Sequence, residues 1–330
     1  MKRSLLIIAS VVALLLAASP ALAVKWGGVT GEYGVKKVNI SGMKWLKIGQ
    51  GARAEAMGDA FTAVADDINA IFWNGSGLVH VERVAYQLNW MRFLRDTQIY
   101  SAAAVWNTRS ARGEVLGLSV TSHHPKPMKE TTIYQPTGTG QFVHVHQMQV
   151  GLLYAIKFTD KFSFSAKANY VQEKLFTEKT TGFTVDVGSF FYTGFRSLRI
   201  AMAFRNYGPD RKTGDYAYLL PLVYTIGVAA EVYGEKGDPS YLTASVENAF
   251  FVDFQERWHF GAELWLQNAL ALRAGWKWNY DLLGISMGVG LKQMFMGRTI
   301  TADVAYSYLQ ENAGVKMFDD VIRVSVGGAF

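Results

Sequence analysis

Four of the six histidines stand close together in the sequence and are the candidates for metal binding. His123 and His124 are adjacent, and His144 and His146 are separated by one residue. Imidazole nitrogens are common zinc ligands. The first pair lies in a predicted loop and the second starts the following strand, so all four could approach one metal ion. No carboxylate stands at a matching spacing, and the Pro-Lys-Pro run after His124 is typical of a solvated loop. We therefore predict neither a metal nor another cofactor.

Catalytic chemistry has little support in the 330 residues. There is no cysteine, which excludes disulfides, thiol nucleophiles and cysteine-ligated metals. The chain has no G-x-S-x-G, no H-E-x-x-H and no P-loop. Scattered Ser, His and Asp could still assemble a hydrolase, but no spacing favours one, so we predict that the protein is not an enzyme. The net charge of +6 comes from dispersed Lys and Arg, which gives no indication of nucleic-acid binding.

Residues 1–23 have the pattern of a secretory signal peptide. Lys2 and Arg3 precede an apolar stretch, and Ala21-Leu22-Ala23 is an A-x-A-type cleavage site. A retained membrane anchor is the alternative, although the apolar stretch is shorter than the roughly 20 residues that a spanning helix needs. We predict cleavage near Ala23 and export to the bacterial cell envelope.

From about residue 82 onward, apolar residues recur with a period of two, as in strands with one apolar face. Tyr86, Leu88 and Trp90 alternate with Gln87 and Asn89, for example. The whole pattern predicts fourteen strands, at 82–92, 97–107, 113–122, 141–158, 161–174, 181–193, 197–206, 222–233, 240–248, 256–267, 269–279, 283–294, 299–308 and 321–330.

An even number of strands suits an outer-membrane barrel. The long connections, 123–140, 207–221 and 309–320, fall on one side, and the short ones, including 158–161 and 267–269, on the other. An exported soluble β-sandwich or barrel is the alternative. Aromatic residues near strand ends and a terminal Phe330, which resembles the signal read by barrel assembly machinery, favour the membrane. We predict an all-β protein, a fourteen-stranded antiparallel transmembrane outer-membrane β-barrel over residues 81–330 in contact with outer-membrane lipid.

Charged residues of both signs fall on the face opposite the apolar one. Mixed charges can pair with one another and suit a closed lumen better than an ion-selective pore. The predicted lumen charges are Arg199, Arg205, Glu231, Glu247, Glu263, Arg273, Lys277, Asp303 and Arg323.

Residues 51–78 break the alternation and carry a family motif. The stretch is rich in small residues and runs from Gly51 through Met57-Gly58 and Asp66-Asp67 to Asn74-Gly75-Ser76-Gly77-Leu78. It resembles the N-terminal signature of the PorV/PorQ family, which is similar to FadL-type outer-membrane transporters. One departure is that the usual N-P-A-G is replaced by Asn74-Gly75-Ser76-Gly77, without its proline. A FadL-like hatch mechanism therefore does not carry over directly.

The resemblance implies that residues 24–80 form an N-terminal segment that plugs the lumen. The plug or hatch residues implied in this way are Arg53, Met57, Gly58, Phe61, Asp66, Asp67, Trp73 and Asn74. Arg53, Asp66 and Asp67 would hold the plug through charge-assisted hydrogen bonds. Alternatively, the polar residues cap a short helix near residues 67–73 and satisfy local backbone groups. Both arrangements can coexist.

Two functions follow from the resemblance. Similarity to PorV implies a component of type IX secretion, which binds cargo signal domains through its extracellular loops and passes the cargo on at the cell surface. Similarity to FadL implies a transporter of fatty acids or other hydrophobic small molecules across the outer membrane. The motif does not separate the two, and its closeness to the PorV form leads us to predict the secretion role.

Overall fold

The computed structural model describes residues 41–110, 113–213, 216–309 and 319–330. The predicted signal peptide, residues 1–23, and the first part of the predicted plug lie outside the described residues. Within those ranges, no helix is long and apolar enough to cross a membrane.

Fourteen antiparallel strands form one closed barrel. They are Val84–Phe93 (β1), Thr97–Asn107 (β2), Val115–His124 (β3), Val145–Lys157 (β6), Phe162–Leu175 (β7), Glu178–Tyr192 (β8), Arg199–Tyr207 (β9), Val223–Tyr233 (β12), Ser240–Phe251 (β13), Arg257–Leu266 (β14), Leu270–Trp278 (β15), Leu283–Phe295 (β16), Arg298–Leu309 (β17) and Val321–Ala329 (β18). Two short hairpins stand outside the barrel wall, formed by Met128–Lys129 (β4) with Phe142–Val143 (β5) and by Arg211–Thr213 (β10) with Tyr216–Tyr218 (β11).

The barrel closes where its first strand meets its last. β1 pairs with β18 along eight residue pairs, from Ala85 opposite Ala329 to Arg92 opposite Ile322. Val84 and the terminal Phe330 exchange two backbone hydrogen bonds of 2.9 Å. Closure removes the unpaired strand edges that hydrocarbon does not tolerate, so the wall satisfies its own backbone groups.

The fourteen predicted strands are confirmed, with boundaries that shift by a few residues. Two details were wrong. His123 and His124 end β3 and do not lie in the following loop, and the predicted strand 141–158 divides into β5 and a barrel strand that begins at Val145. Both differences arise beside the long connection after β3, where polar residues interrupt the alternation and the chain folds into the β4–β5 hairpin.

The two faces of the wall differ as the alternation predicts. Leu88, Leu152 and Phe183 are more than 60% exposed on the outer face. Neighbouring strands place aromatic rings side by side there, as in Phe204 and Tyr224, whose ring centroids lie 4.3 Å apart. Such an apolar exterior with aromatic residues is the surface of a barrel in contact with lipid.

The described residues that precede β1 lie inside the barrel. Residues 41–81, which we name the inner segment, contain two 3₁₀ stretches, Lys44–Lys47 and Gly75–His80, and two short helices, Ala52–Ala56 and Ala70–Trp73. Helix Ala52–Ala56 packs on β15–β18, whereas Gly75–His80 packs on β6–β8 across the lumen. The inner segment therefore bridges opposite walls.

Close approach of the inner segment to one wall depends on glycine. Gly275 of β15 faces the backbone of Gly58, and a Cβ atom added to Gly275 would lie 2.0 Å from the Gly58 nitrogen. No side chain fits at that distance, so glycine lets two backbones touch where a strand would otherwise carry a lumen side chain.

Replacing Gly275 with valine should displace the inner segment from β15 and destabilise the barrel by about 1–3 kcal/mol, the usual cost of overpacking. The measurement is the temperature at which the protein loses the faster electrophoretic mobility of a folded barrel. The neighbouring Ala274 points outward, so Ala274→Val is the control. Equal transition temperatures for the two variants would show that the contact does not constrain the fold.

Candidate functional site: the interface between the inner segment and the barrel wall

Arg53 is the centre of the largest ion-pair cluster in the lumen. Its Nε and one terminal nitrogen bind both oxygens of Glu263 on β14, at 2.8 and 2.7 Å, in a bidentate pair. Its other terminal nitrogen lies 2.7 Å from Asp66 and 3.0 Å from Asp67. Glu263 also accepts from Arg273, 2.6 Å away. The cluster fixes two parts of the inner segment to one strand.

Glu55, two residues further along, forms a second cluster with a different set of strands. It is fully buried and accepts from Lys277 of β15 at 2.8 Å and from Ser307 of β17, and it pairs with Arg323 of β18. Lys277 also pairs with Asp59, at 2.7 Å. One carboxylate thus joins three strands to helix Ala52–Ala56.

Cationic neighbours keep Glu55 and Asp66 ionised despite their burial. Burial would raise the pKa of Glu55, but Arg323 and Lys277 outweigh it and lower the pKa to about 2. Burial likewise opposes ionisation of Asp66, and Lys236 and Arg53 nevertheless hold its pKa well below the usual range. Lys236 lies in the turn between β12 and β13, so this turn is tied to the inner segment as well.

The next turn of the inner segment is bound through its backbone. Glu247 on β13 accepts from the backbone nitrogens of Phe61 and Thr62, at 3.1 and 2.7 Å. Arg199 on β9 donates to the carbonyl oxygen of Ala63, at 2.9 Å, and pairs with Glu231. These contacts satisfy peptide groups that a short, irregular segment cannot pair internally.

Asn74 fixes the corner that precedes β1. Its Nδ2 donates to the carbonyl oxygens of Thr62 and Ser189, at 3.2 and 3.0 Å, and its Oδ1 accepts from both the backbone and the hydroxyl of Ser76. Asn74 therefore caps Gly75–His80 and binds β8 at once. A Cβ atom on Gly77 would lie 1.5 Å from the carbonyl oxygen of Ala65, so the corner is built by close backbone contact without the family proline.

Two cationic side chains line the wall opposite the Arg53 and Glu55 clusters. Lys167 donates to the carbonyl oxygen of Ile71, at 3.0 Å, and Arg205 lies over the Trp73 ring, 4.8 Å from its centroid. Trp73 donates from Nε1 to the carbonyl oxygen of Gln50, at 2.8 Å. These contacts bind helix Ala70–Trp73 to β7 and β9.

The predicted site residues thus lie at one interface. The structure places Met57, Gly58, Phe61 and Trp73 in the interior, and it brings Arg53, Asp66 and Asp67 together. Asp67 also accepts from the backbone nitrogen of Asn69, at 2.8 Å, so it satisfies a local backbone group as well, but no side chain among the described residues caps the helix Ala70–Trp73. All nine predicted lumen charges face inward, with Arg273 binding Asp303 at 2.6 Å.

Sequence reasoning missed several residues of this interface, above all Glu55, Asp59, Lys167 and Lys236. Glu55 and Asp59 could have been noticed as charged residues within a stretch of small residues. Lys167 could have been noticed because it lies on the polar face of the alternating strand β7. Lys236 lies in a turn and gave no signal.

The four histidines do not converge. His123 is buried against Trp45, with ring centroids 5.0 Å apart, whereas His124 and His146 lie on the outer face with their rings 5.1 Å apart. Successive residues of a strand point to opposite faces, which separates His123 from His124. In the part of the chain that the structure describes, no three His, Cys, Asp or Glu side chains are arranged to hold a metal ion.

A cavity of about 270 Å³ lies beside the Arg53 cluster, near the end of the barrel that carries the short turns. Ile68, Val81 and Trp265 give it an apolar part, and Asp67 and Lys292 give it a charged part. Its volume is close to the lower end of the roughly 300–1,000 Å³ range of small-molecule sites.

Comparisons with known proteins place the fold. A Ralstonia pickettii toluene transporter, TbuX, matches with a TM-score of 0.59 and 14% identity over 85% of this chain and 97% of its own. The monoaromatic hydrocarbon channel CymD gives 0.59 and 11% over 86% and 98%, and the Pseudomonas putida toluene transporter TodX gives 0.58 and 11% over 86% and 99%. No family model and no curated protein matches the sequence.

This chain therefore has the same barrel fold as these transporters and channels. At 11–14% identity the likeness shows the fold alone, and the PorV/PorQ resemblance stays a prediction.

Replacing Glu55 with glutamine should lower stability by about 3 kcal/mol at pH 7, because buried Arg323 loses its carboxylate partner. Loss of the folded-barrel mobility on heating measures the effect. The matched control is Glu178→Gln at the exposed start of β8, which should leave the transition unchanged. A Glu55→Gln barrel as heat-resistant as the parent would contradict the assigned role of this carboxylate.

The difference in stability between wild type and Glu55→Gln should become smaller as the pH falls. The pKa of Glu55 is about 2 in the folded protein and about 4.3 in an unfolded chain. Its ionisation therefore contributes stability above about pH 4.3, and this contribution is lost as the pH falls towards 2. The difference in transition temperature between wild type and Glu55→Gln should shrink over that interval. A constant difference would mean that Glu55 acts through packing and not through its charge.

Proposed function

We propose that the protein is an outer-membrane channel for hydrophobic small molecules, with the inner segment as a plug that closes its lumen to ions and water. The chain would reach the outer membrane after cleavage near Ala23, with residues 24–80 forming the plug and residues 81–330 the barrel.

One observation carries this proposal. The barrel covers 97% of the chain of TbuX and 99% of that of TodX, both described as toluene transporters. Their barrels and this one are thus built to the same plan from end to end. This favours hydrophobic transport over the secretion role predicted from the motif.

The geometry of the lumen supports the same function. Ion pairs and backbone contacts hold the inner segment to β6–β9 on one side and to β13–β18 on the other. A filled lumen of this kind excludes hydrated ions. The cavity beside Arg53 has apolar and charged parts together, which suits a small apolar molecule on its way through a polar interior.

Uptake of radiolabelled toluene by cells with and without the protein tests the proposal. The chain has no cysteine, so the inner segment can be locked to β12 by one engineered disulfide. Thr62 and Thr225 suit this purpose because their hydroxyl oxygens lie 3.0 Å apart. In the double variant Thr62→Cys, Thr225→Cys, we expect uptake to fall on oxidation and to recover on reduction, while each single variant keeps its activity.

The outcomes separate the two parts of the proposal. Uptake equal to that of cells without the protein would exclude toluene transport, and repeating the assay with a fatty acid would then test the other hydrophobic class. Uptake that persists after oxidation would show that solute passes without movement of the Thr62 region.

The secretion role is a second candidate because of one surface feature. Ile133 and Tyr134 are 95% and 94% exposed at the tip of the long connection after β3, beyond the β4–β5 hairpin. Large apolar side chains held in water are typical of a contact surface. A protein partner such as a cargo signal domain would bind this tip.

Replacing both tip residues with serine should abolish capture of secretion proteins or cargo if this second candidate is right. Toluene uptake should stay at the wild-type level, since the tip lies outside the barrel. Capture that does not depend on the tip would remove the observation that favours secretion.

A further inference from the structure

The outer face of the barrel carries a groove of about 450 Å³ where the wall closes. It crosses strands β18, β1, β2 and β3, and its lining is almost entirely apolar. The side chains that shape it are Leu88, Trp90, Tyr100, Ala102, Val120 and Val326. Its volume lies within the roughly 300–1,000 Å³ range of ligand sites.

Strand register explains the groove. Leu88, Ala102 and Val120 stand side by side on β1, β2 and β3, so a short side chain lies between two longer ones. One step towards the long-loop end, Trp90 and Tyr100 are paired and line that end of the groove. The floor is thus low at Ala102 and is bounded by aromatic rings.

Polar side chains follow directly beyond the rings. Arg92, Gln98 and His124 form the next outward row in register. Gln98 accepts from the Trp90 indole at 2.7 Å. Arg92 has no ion pair among the described residues, and its Nε has no hydrogen-bond partner there. Two residues of strand, about 7 Å, separate it from Trp90.

Two carboxylates that flank this end of β1 and β18 have partners of their own. Asp96, in the turn after β1, pairs with Lys126 at 3.3 Å. Asp320, before β18, accepts from Tyr306 and from the backbone of Leu309. Arg92 is therefore free to bind an anion that reaches the surface above the groove.

We propose that this groove binds a membrane lipid with an anionic phosphate headgroup. One acyl chain lies along Ala102 between Leu88 and Val120, and the phosphate accepts from Arg92. The apolar acyl chain matches the apolar groove, because it brings no polar group that would need a partner. The anionic phosphate matches Arg92, because a guanidinium binds phosphate strongly. The inference rests on the proposed membrane location but not on transport.

Native mass spectrometry of the detergent-purified full chain tests the site with phosphatidylglycerol and diacylglycerol as probes, because diacylglycerol has the acyl chains but no phosphate. Ala102→Trp fills the groove. Ala168→Trp is the matched control, because Ala168 also points outward between two apolar neighbours, Leu152 and Val185, on the wall formed by β6–β8. We expect Ala102→Trp to lose bound phosphatidylglycerol and Ala168→Trp to keep it.

Charge is tested separately with Arg92→Gln. Loss of one charge-assisted hydrogen bond should weaken phosphatidylglycerol binding about tenfold and leave diacylglycerol binding unchanged. Inorganic phosphate should not displace the lipid, because it lacks the acyl chain; displacement would mean that the site binds phosphate alone.

Equal retention by Ala102→Trp and Ala168→Trp, or equal binding of phosphatidylglycerol and diacylglycerol by wild type, would overturn the proposal and leave non-specific lipid contact. A dimer that forms through the groove in place of lipid binding would overturn it as well. Each variant must first show the heat-dependent mobility of a folded barrel. Toluene uptake by Ala102→Trp should match wild type, so failure of the lipid site is distinguishable from failure of transport.

Discussion

The structure depends on the neutralisation of charges that the barrel wall turns inward. Glu263, Arg273 and Lys277 are each about 95% buried or more, where an unpaired charge costs several kcal/mol. Arg273 is paired within the wall, by Glu263 and Asp303. Glu263 is also bound by Arg53 of the inner segment, and Lys277 pairs with Glu55 of that segment. The barrel wall and the inner segment therefore each supply charges that neutralise buried charges of the other.

The same constraint explains why part of the molecule could be predicted from sequence. Alternation alone located all fourteen strands and assigned Arg199 and Lys277 to the lumen, since parity in a strand decides the face. The family motif marked Arg53 and Asn74. Partner choice could not be predicted, because Glu55 meets Ser307 and Arg323 through a register that is set by strands far along the chain.

Local reasoning also failed where one residue has two environments. The predicted cap was for a short helix near residues 67–73, but Asn74 caps the following 3₁₀ stretch, Gly75–His80, and its amide also donates to the Ser189 carbonyl of β8. His123 and His124 look like a pair in sequence, yet one packs on Trp45 and the other faces outward. Burial of a side chain follows from closure of the whole barrel, which no short window of sequence contains.

The position of the inner segment also has a consequence for the order of assembly. This segment precedes every strand in the chain, yet Glu55 is bound by β15, β17 and β18, and the last of these forms the seam with β1. Residue 81 leads almost directly into β1, so the inner segment stays tethered to the strand that forms the seam. The ion pairs of Glu55 can form only once the last strands have joined the wall, so they report that the C-terminal half of the barrel is complete.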